Sequence, residues 1–356
     1  MNITRRNVLK FTGVSAATGL AGCLDSTGEG GNGDGSELPS YHRWLTADDN
    51  GEVGYVYVDW SVFEETDTGN QTTNDESDTD AEGDPMIGLP ISGAVAAAFV
   101  VGFGLSAYGL GGLITYGQSG NETDGSEDLN SSVEAMLLTN RAVVMTGDID
   151  TDAVDEALTA EPEGFSFAKQ YEQTDEIGDY DAYTPANEES RDAIAVGDGA
   201  ILFTLEQDVD DPIAAIRTPI EAAAGDTTRA TDEINDFGWL VSSAGRGDLV
   251  FGGYGGEFES GSGAQETDRG DNFTDGESGG EEAFDMEHTE LDGLEGGVSS
   301  LSFGENRERA TGKFAALLGD ADAGTLEASL ASSATESTVE IKDGRVTASA
   351  TWESLE

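Results

Sequence analysis

The sequence predicts an α+β fold: a mainly antiparallel sheet with packed amphipathic helices, long acidic disordered insertions and one long apolar helical segment. Strand-like segments occur in pairs joined by tight turns, as at Gly197-Asp198-Gly199 and Asp343-Gly344. Two-residue turns connect antiparallel strands, whereas parallel strands need a crossover of roughly a dozen residues. Helical segments lie between these pairs rather than after every strand, so the pattern favours α+β over a parallel α/β fold.

The first half of the chain contains two predicted strands and one predicted helix. Residues 53–60 are rich in β-branched and aromatic residues and alternate in the manner of a strand. Residues 141–147 form the second strand. The helix that follows places Val154 and Leu158 on one face, and aspartates at its start can cap it.

The second half of the chain contains more turn and cap signals. They predict a hairpin within 193–203, a helix from Asp211 to Gly225, a strand at 298–303, a helix with Ala310, Phe314, Leu317 and Leu318 on one face, and a hairpin within 339–352.

Composition shifts divide the chain into segments. These are a leader (1–23), a flexible tether (24–40), a main α+β domain (41–254) with an acidic loop (67–84) and an apolar segment (85–117), an acidic linker (255–282) and a small α+β C-terminal unit (283–356). Both folded units contain a strand, a helix and an Asp-Gly hairpin, but in a different order. Whether they are a diverged repeat stays open.

The apolar segment, residues 85–117, carries no charge over its 33 residues. It is long enough to cross a bilayer, for which about 20 apolar residues suffice. Its many glycines, the absence of nearby Lys or Arg, and possible glycosylation acceptors on both flanks, Asn70 and Asn121, argue against a span. We expect a buried or surface-embedded helical element, with a membrane span as the alternative.

The leader combines an export signal with a lipid attachment site. Arg5 and Arg6 precede a short uncharged apolar stretch, and small residues then lead to Cys23. Paired arginines before such a stretch are typical of twin-arginine signals. The sequence therefore predicts export directed by the arginine pair and lipidation at Cys23.

The charge composition is strongly acidic, with 72 Asp and Glu, 16 Lys and Arg, and a formal net charge of −56. Such a surface repels itself in dilute buffer, whereas molar salt shortens the screening length to about 3 Å. Leader and composition together resemble those of haloarchaeal surface lipoproteins exported by the twin-arginine route. That resemblance implies a protein anchored by lipid on the extracellular face of the cell membrane, and it implies no activity.

Few residues indicate catalytic or metal chemistry. Cys23 is the single cysteine, and His42 and His288 are the two histidines, so zinc and blue-copper sites lack ligands. The pair Ser166-x-x-Lys169 lacks the other motifs of serine acyl enzymes. We therefore predict no catalytic residue, no metal and no cofactor, and the acidity disfavours nucleic acid as a partner.

The remaining candidate sites are glycosylation acceptors of the Asn-x-Ser/Thr type. They are Asn70, Asn121, Asn130 and Asn272. The predicted partners are the membrane, through the lipid at Cys23, and an unknown envelope protein or solute. We expect a non-enzymatic binding or envelope-structural role. The alternatives are a solute-binding lipoprotein of a transporter, which needs a two-lobed cleft, and an extracellular hydrolase, which needs two close buried carboxylates.

Overall fold

The computed structural model describes residues 38–60, 84–114, 129, 131–161, 169–187, 191–204, 211–255, 291–304 and 309–353. Their strands are β1 (Val53–Asp59), β2 (Ser132–Thr139), β3 (Ala142–Asp148), β4 (Tyr171–Ile177), β5 (Tyr180–Pro185), β6 (Ile194–Gly197), β7 (Ala200–Thr204), β8 (Leu249–Tyr254), β9 (Gly296–Phe303), β10 (Ala310–Leu317), β11 (Glu336–Lys342) and β12 (Arg345–Trp352). They form one sheet in the order β11-β12-β10-β9-β8-β1-β2-β3-β7-β6-β5-β4. Neighbouring strands pair antiparallel throughout this described sheet, which confirms the predicted α+β class.

Helices cover both faces of the sheet. They are α1 (Pro85–Tyr108), α2 (Thr151–Thr159), α3 (Pro212–Ala224), α4 (Ala230–Glu233), α5 (Asn235–Ala244) and α6 (Ala323–Ser329), with 3-10 turns at Ser40–Trp44 and Gly111–Ile114. Side chains of α1, α2 and α6 pack on one face, which we name the α1 face. Side chains of α3, α4, α5 and the turn Ser40–Trp44 pack on the other, the α5 face.

The central strands are buried on both sides, which accounts for their apolar runs. In β7, Ile201 and Phe203 pack on the α1 face, and Ala200 and Leu202 pack on the α5 face. Two hydrophobic clusters therefore lie on opposite sides of one sheet.

Several elements with local signals are confirmed. The Asp198-Gly199 turn joins β6 to β7, and Asp343-Gly344 joins β11 to β12. Helix α3 begins after Asp211, whose side chain accepts a hydrogen bond from the backbone N–H of Ala214, and it ends at a left-handed Gly225.

The predicted helix with Ala310, Phe314, Leu317 and Leu318 on one face is wrong, because residues 310–317 form strand β10. This strand lies between β9 and β12 and is buried on both sides at its C-terminal end. Phe314 and Ala316 pack on the α1 face, and Ala315 and Leu317 on the α5 face. Because this part of the strand is buried on both faces, its apolar residues do not alternate with polar ones. Their spacing therefore resembled that of a helix.

The segment predicted as a separate C-terminal unit, residues 283–356, contributes β9 to β12 to the common sheet. Strand β9 pairs with β8 over six residue pairs, and residues Ser36–Glu356 form one compact unit. The acidic linker 255–282 lies outside the described residues beyond Gly255. The acidic loop 67–84 lies outside them except for Asp84, which is buried rather than part of an exposed loop.

Candidate functional site

The predicted apolar segment forms helix α1, which begins at a buried carboxylate. Asp84 is 0% exposed and accepts a hydrogen bond at 3.1 Å from the backbone N–H of Met86, which caps the helix. It also accepts hydrogen bonds from the backbone N–H groups of Ala331 and Ser333 and from the hydroxyl of Ser333. The start of α1 is thereby fixed to the turn that precedes β11.

The inner face of α1 packs against β1, β8, β9 and β10. Two glycines allow the helix to approach the sheet closely. A Cβ atom at Gly93 would lie 2.8 Å from the ring of Phe251, and one at Gly104 would lie 2.9 Å from the ring of Phe203. Larger residues at either position would hold the helix away from the sheet.

The outer face of α1 exposes large apolar side chains. Ile91 is 37% exposed, Val95 56%, Phe99 57% and Val100 41%. We name these four residues the α1 stripe. Ile91, Val95 and Phe99 are spaced by four residues and therefore follow one another along the same side of the helix. The α1 stripe forms an uncharged, apolar surface on an otherwise acidic chain.

The end of α1 is anchored near β7. Gly109 adopts a left-handed conformation and ends the helix. The hydroxyl of Tyr108 donates to the carbonyl oxygen of Thr204 at 3.4 Å. Burial raises the pKa of Tyr108, and Asp192 raises it further. This tyrosine therefore stays neutral across the physiological pH range and acts as an anchor.

A second buried carboxylate, Asp192, lies near that end of the helix. It is 5% exposed, and its Oδ2 accepts from the hydroxyl of Tyr171 at 2.7 Å and from Nζ of Lys169 at 3.2 Å. Burial raises the pKa of Tyr171, and its hydrogen bond to Asp192 raises it further. The ion pair occupies the amine of Lys169, which weakens the Ser-x-x-Lys interpretation; Ser166 itself lies outside the described residues.

The predicted site residues all fall outside the described part of the chain. These are the export pair Arg5 and Arg6, the lipidation site Cys23, and the glycosylation acceptors Asn70, Asn121, Asn130 and Asn272. His288 also lies outside it, whereas the ring Nδ1 of His42 lies 2.7 Å from the carbonyl oxygen of Pro39. The described residues contain no group of three or more His, Cys, Asp or Glu side chains that could hold a metal ion.

Sequence reasoning located α1 but missed which of its residues face outward. Among the described helices, α1 is the one with the length and apolar composition of a membrane span. About half of that stretch is buried inside the fold. Because all sides of the helix are apolar, its sequence carries no periodicity from which the α1 stripe could be identified.

No family model and no curated protein sequence matches this chain. Among solved structures, the chain is similar to that of TP0453 in its crystal form I, with a TM-score of 0.37 and 9% sequence identity. That likeness covers 88% of this chain and 93% of the TP0453 chain. A TM-score this low supports no inference about function.

Proposed function

We propose that the protein is a non-enzymatic, lipid-anchored protein of the extracellular surface of a halophilic archaeon, and that helix α1 forms its second contact with the membrane. The observation that carries this proposal is the exposed, uncharged α1 stripe on a chain of net charge −56. Exposed apolar patches on soluble proteins usually mark a binding surface. The occupant we assign to the α1 stripe is the bilayer surface.

The predicted lipid at Cys23 would bring the folded body close to the bilayer. Residues 24–37 separate Cys23 from the first described residue. For the tether that the Gly- and Ser-rich composition predicts there, we expect a root-mean-square span of roughly 20 Å. A tethered helix face therefore meets the bilayer at high effective concentration. A contact between the α1 stripe and the bilayer would add to the attachment that the predicted lipid supplies.

The energetics favour cooperation between the two contacts. Burying the exposed parts of the four stripe side chains in hydrocarbon contributes roughly 1 kcal/mol each. A gain of about 4 kcal/mol is too small for tight binding by the helix alone, since it corresponds to a dissociation constant near 1 mM. Residues 85–117 carry no charge, so this segment itself adds no repulsion at an anionic lipid surface.

Vesicle flotation in molar KCl tests this proposal. The full chain carrying Cys23→Ser, which lacks the lipid, should bind phosphatidylglycerol vesicles weakly. Adding Val95→Asp should weaken that binding by about tenfold or more, because a carboxylate resists transfer into hydrocarbon. The matched control is Ala214→Asp, which adds the same charge at an exposed position of α3 on the α5 face. Equal binding by the Val95→Asp and Ala214→Asp chains would contradict the assignment.

The leader can be tested separately in cells. Replacing Arg5 and Arg6 with Lys should retain the precursor inside, whereas Cys23→Ser should permit export and release the chain from the lipid anchor. Surface display that is unchanged by the arginine substitutions would contradict twin-arginine export.

Neither alternative function is favoured by a specific observation. The described strands form one continuous sheet rather than two lobes around a cleft. The two buried aspartates among the described residues, Asp84 and Asp192, are each engaged in hydrogen bonds that hold the fold together. These contacts support structural roles for both carboxylates.

A further inference from the structure

The α5 face carries an ordered array of polar side chains near one end of the sheet. Directly paired residues of β9, β10, β12 and β11 form two rows across these strands. The rows are Ser302-Thr311-Thr351-Glu336 and Ser300-Lys313-Ser349-Thr338. We name these eight residues the hydroxyl array. Paired residues of antiparallel strands project to the same side, and neighbouring strands lie about 4.8 Å apart, so the array is regularly spaced.

The hydroxyl array begins where α5 stops covering the sheet. Val298 and Ala315, two residues along β9 and β10 from the array, are buried in the α5-face cluster. Thr311, Lys313 and Ser349 are exposed. With Arg246 from the segment after α5, the array lines a groove of about 340 Å³. The groove is a concave surface, and ten of the twelve residues that line it have polar side chains.

The exposed hydroxyls of Thr311 and Ser349 are available to a ligand, whereas Ser300 is buried. Elsewhere in the sheet, hydroxyls are used internally, as in the bonds from Thr139 to the carbonyl of Ala142 and from Ser299 to the carbonyl of Met86. Within the part of the chain that the structure describes, the side chains of Thr311 and Ser349 have no such internal bond. Each can therefore both donate and accept a hydrogen bond across the groove.

The residues that line the groove carry a net positive charge, whereas the whole chain is strongly negative. Lys313 lies centrally, paired with Ser300 on one side and Ser349 on the other, and Arg246 also lines the groove. Glu336 is the one acidic residue of the lining. In molar salt the screening length is about 3 Å, so direct contacts with Lys313 outweigh the distant negative charges.

We propose that this groove binds an acidic carbohydrate. The sugar hydroxyls would bond to exposed side chains such as Thr311 and Ser349, and the acid group would bind Lys313. A small inorganic anion would use only the cations, and an apolar ligand would leave the hydroxyls unpaired at a cost. The groove lies on the α5 face, opposite α1, so a chain bound to the membrane through the α1 stripe would leave the groove accessible.

Binding of three soluble polysaccharides to the full chain in molar KCl tests the proposal. Polygalacturonate carries carboxylates, dextran sulfate carries sulfates, and dextran is neutral. We expect binding of one or both charged polymers and at least tenfold weaker binding of dextran. Lys313→Met should weaken binding of the charged polymer by roughly tenfold to a hundredfold, the usual range for a hydrogen bond to a charged group. Lys313→Arg should restore most of it.

Matched controls separate the groove from general electrostatics. Lys342→Met removes the same charge from an exposed position of β11 outside the groove, and Thr347→Val removes a hydroxyl from β12 outside it. Both should bind as the unmodified chain does, whereas Thr311→Val and Ser349→Ala should each bind about threefold to tenfold more weakly. Circular dichroism spectra should match across all variants.

Three results would overturn the proposal. These are failure of both charged polymers to bind, binding of dextran as tight as that of the charged polymers, and equal loss of binding in Lys313→Met and Lys342→Met.

Discussion

Ser333 binds Asp84 twice, through its backbone N–H at 3.2 Å and its hydroxyl at 2.8 Å, both to Oδ2. The two residues are 249 positions apart in the sequence. The same hydroxyl accepts a hydrogen bond from the indole N–H of Trp352 at 3.0 Å. One carboxylate thereby joins the start of the apolar helix to the last hairpin of the sheet.

Asp84→Ala should destabilise the protein by roughly 2–4 kcal/mol. Loss of a helix cap costs about 1 kcal/mol, and the buried donors left without an acceptor add about 1–3 kcal/mol. Guanidinium chloride unfolding, followed by circular dichroism at constant high ionic strength, measures the change. The control is Asp322→Ala, which removes the exposed cap of α6 and should cost less. An equal loss of unfolding free energy in the two variants would show that the contacts of Asp84 with the turn do not contribute to stability.

Two glycines of α1 should respond in opposite directions to substitution by alanine. A Cβ at Gly104 would lie 2.9 Å from the buried ring of Phe203, so Gly104→Ala should destabilise the protein by about 1–3 kcal/mol. Gly102 has no atom within 4 Å of its Cβ position, so Gly102→Ala should stabilise it by about 0.5–1 kcal/mol. Unfolding curves of both variants check the difference. Stabilisation by Gly104→Ala would indicate that α1 does not pack closely on β7.

The elements that the sequence predicted correctly are those with local signals. Asp211 and Gly225 cap α3, and the Asp198-Gly199 turn fixes a hairpin, each within a few residues. Strand β10 was predicted as a helix because its burial depends on α1, which lies about 200 residues earlier in the chain. The hydrophobic periodicity of a segment depends on how many of its sides are buried, and elements distant in the sequence determine that burial.

The two candidate surfaces could be predicted only in part. Composition identified the apolar segment, but contacts of Gly93 and Gly104 with the sheet decide that Val95 faces outward. The hydroxyl array depends on the register between β10 and β12, which places Lys313 beside Ser349. No local pattern encodes that register, because the two strands are separated in the sequence by α6 and β11.

Alkaline pH should unfold the protein through its buried tyrosines. Burial, together with nearby Asp59, raises the pKa of Tyr57 to about 12. Burial also raises the pKa of its neighbours Tyr41 and Tyr55. An unfolded tyrosine has a pKa of about 10, so the unfolded chain releases these protons first. The stability is therefore fully present below pH 10 and is lost as the pH rises towards 12.

A pH titration that follows tyrosinate absorbance and circular dichroism together checks this expectation. Both signals should change in one cooperative step, and Tyr57→Phe should shift that step to higher pH. Gradual ionisation of the tyrosines near pH 10 with an unchanged circular dichroism spectrum would contradict it.

Removal of salt should unfold the protein cooperatively, and one pair of carboxylates should contribute measurably to this salt dependence. Glu176 of β4 lies directly opposite Asp181 of β5 in the sheet. Like charges in such pairs destabilise a sheet by about 0.2–1 kcal/mol, and the repulsion grows as the screening length rises from about 3 Å in molar salt to about 30 Å at 10 mM. Glu176→Gln should therefore lower the KCl concentration at which the chain unfolds.

Glu176→Asp keeps the charge and serves as the control, with a midpoint close to that of the unmodified chain. Circular dichroism along a KCl titration at neutral pH measures all three midpoints; a flat signal down to tens of millimolar would mean that the net charge of −56 does not govern stability.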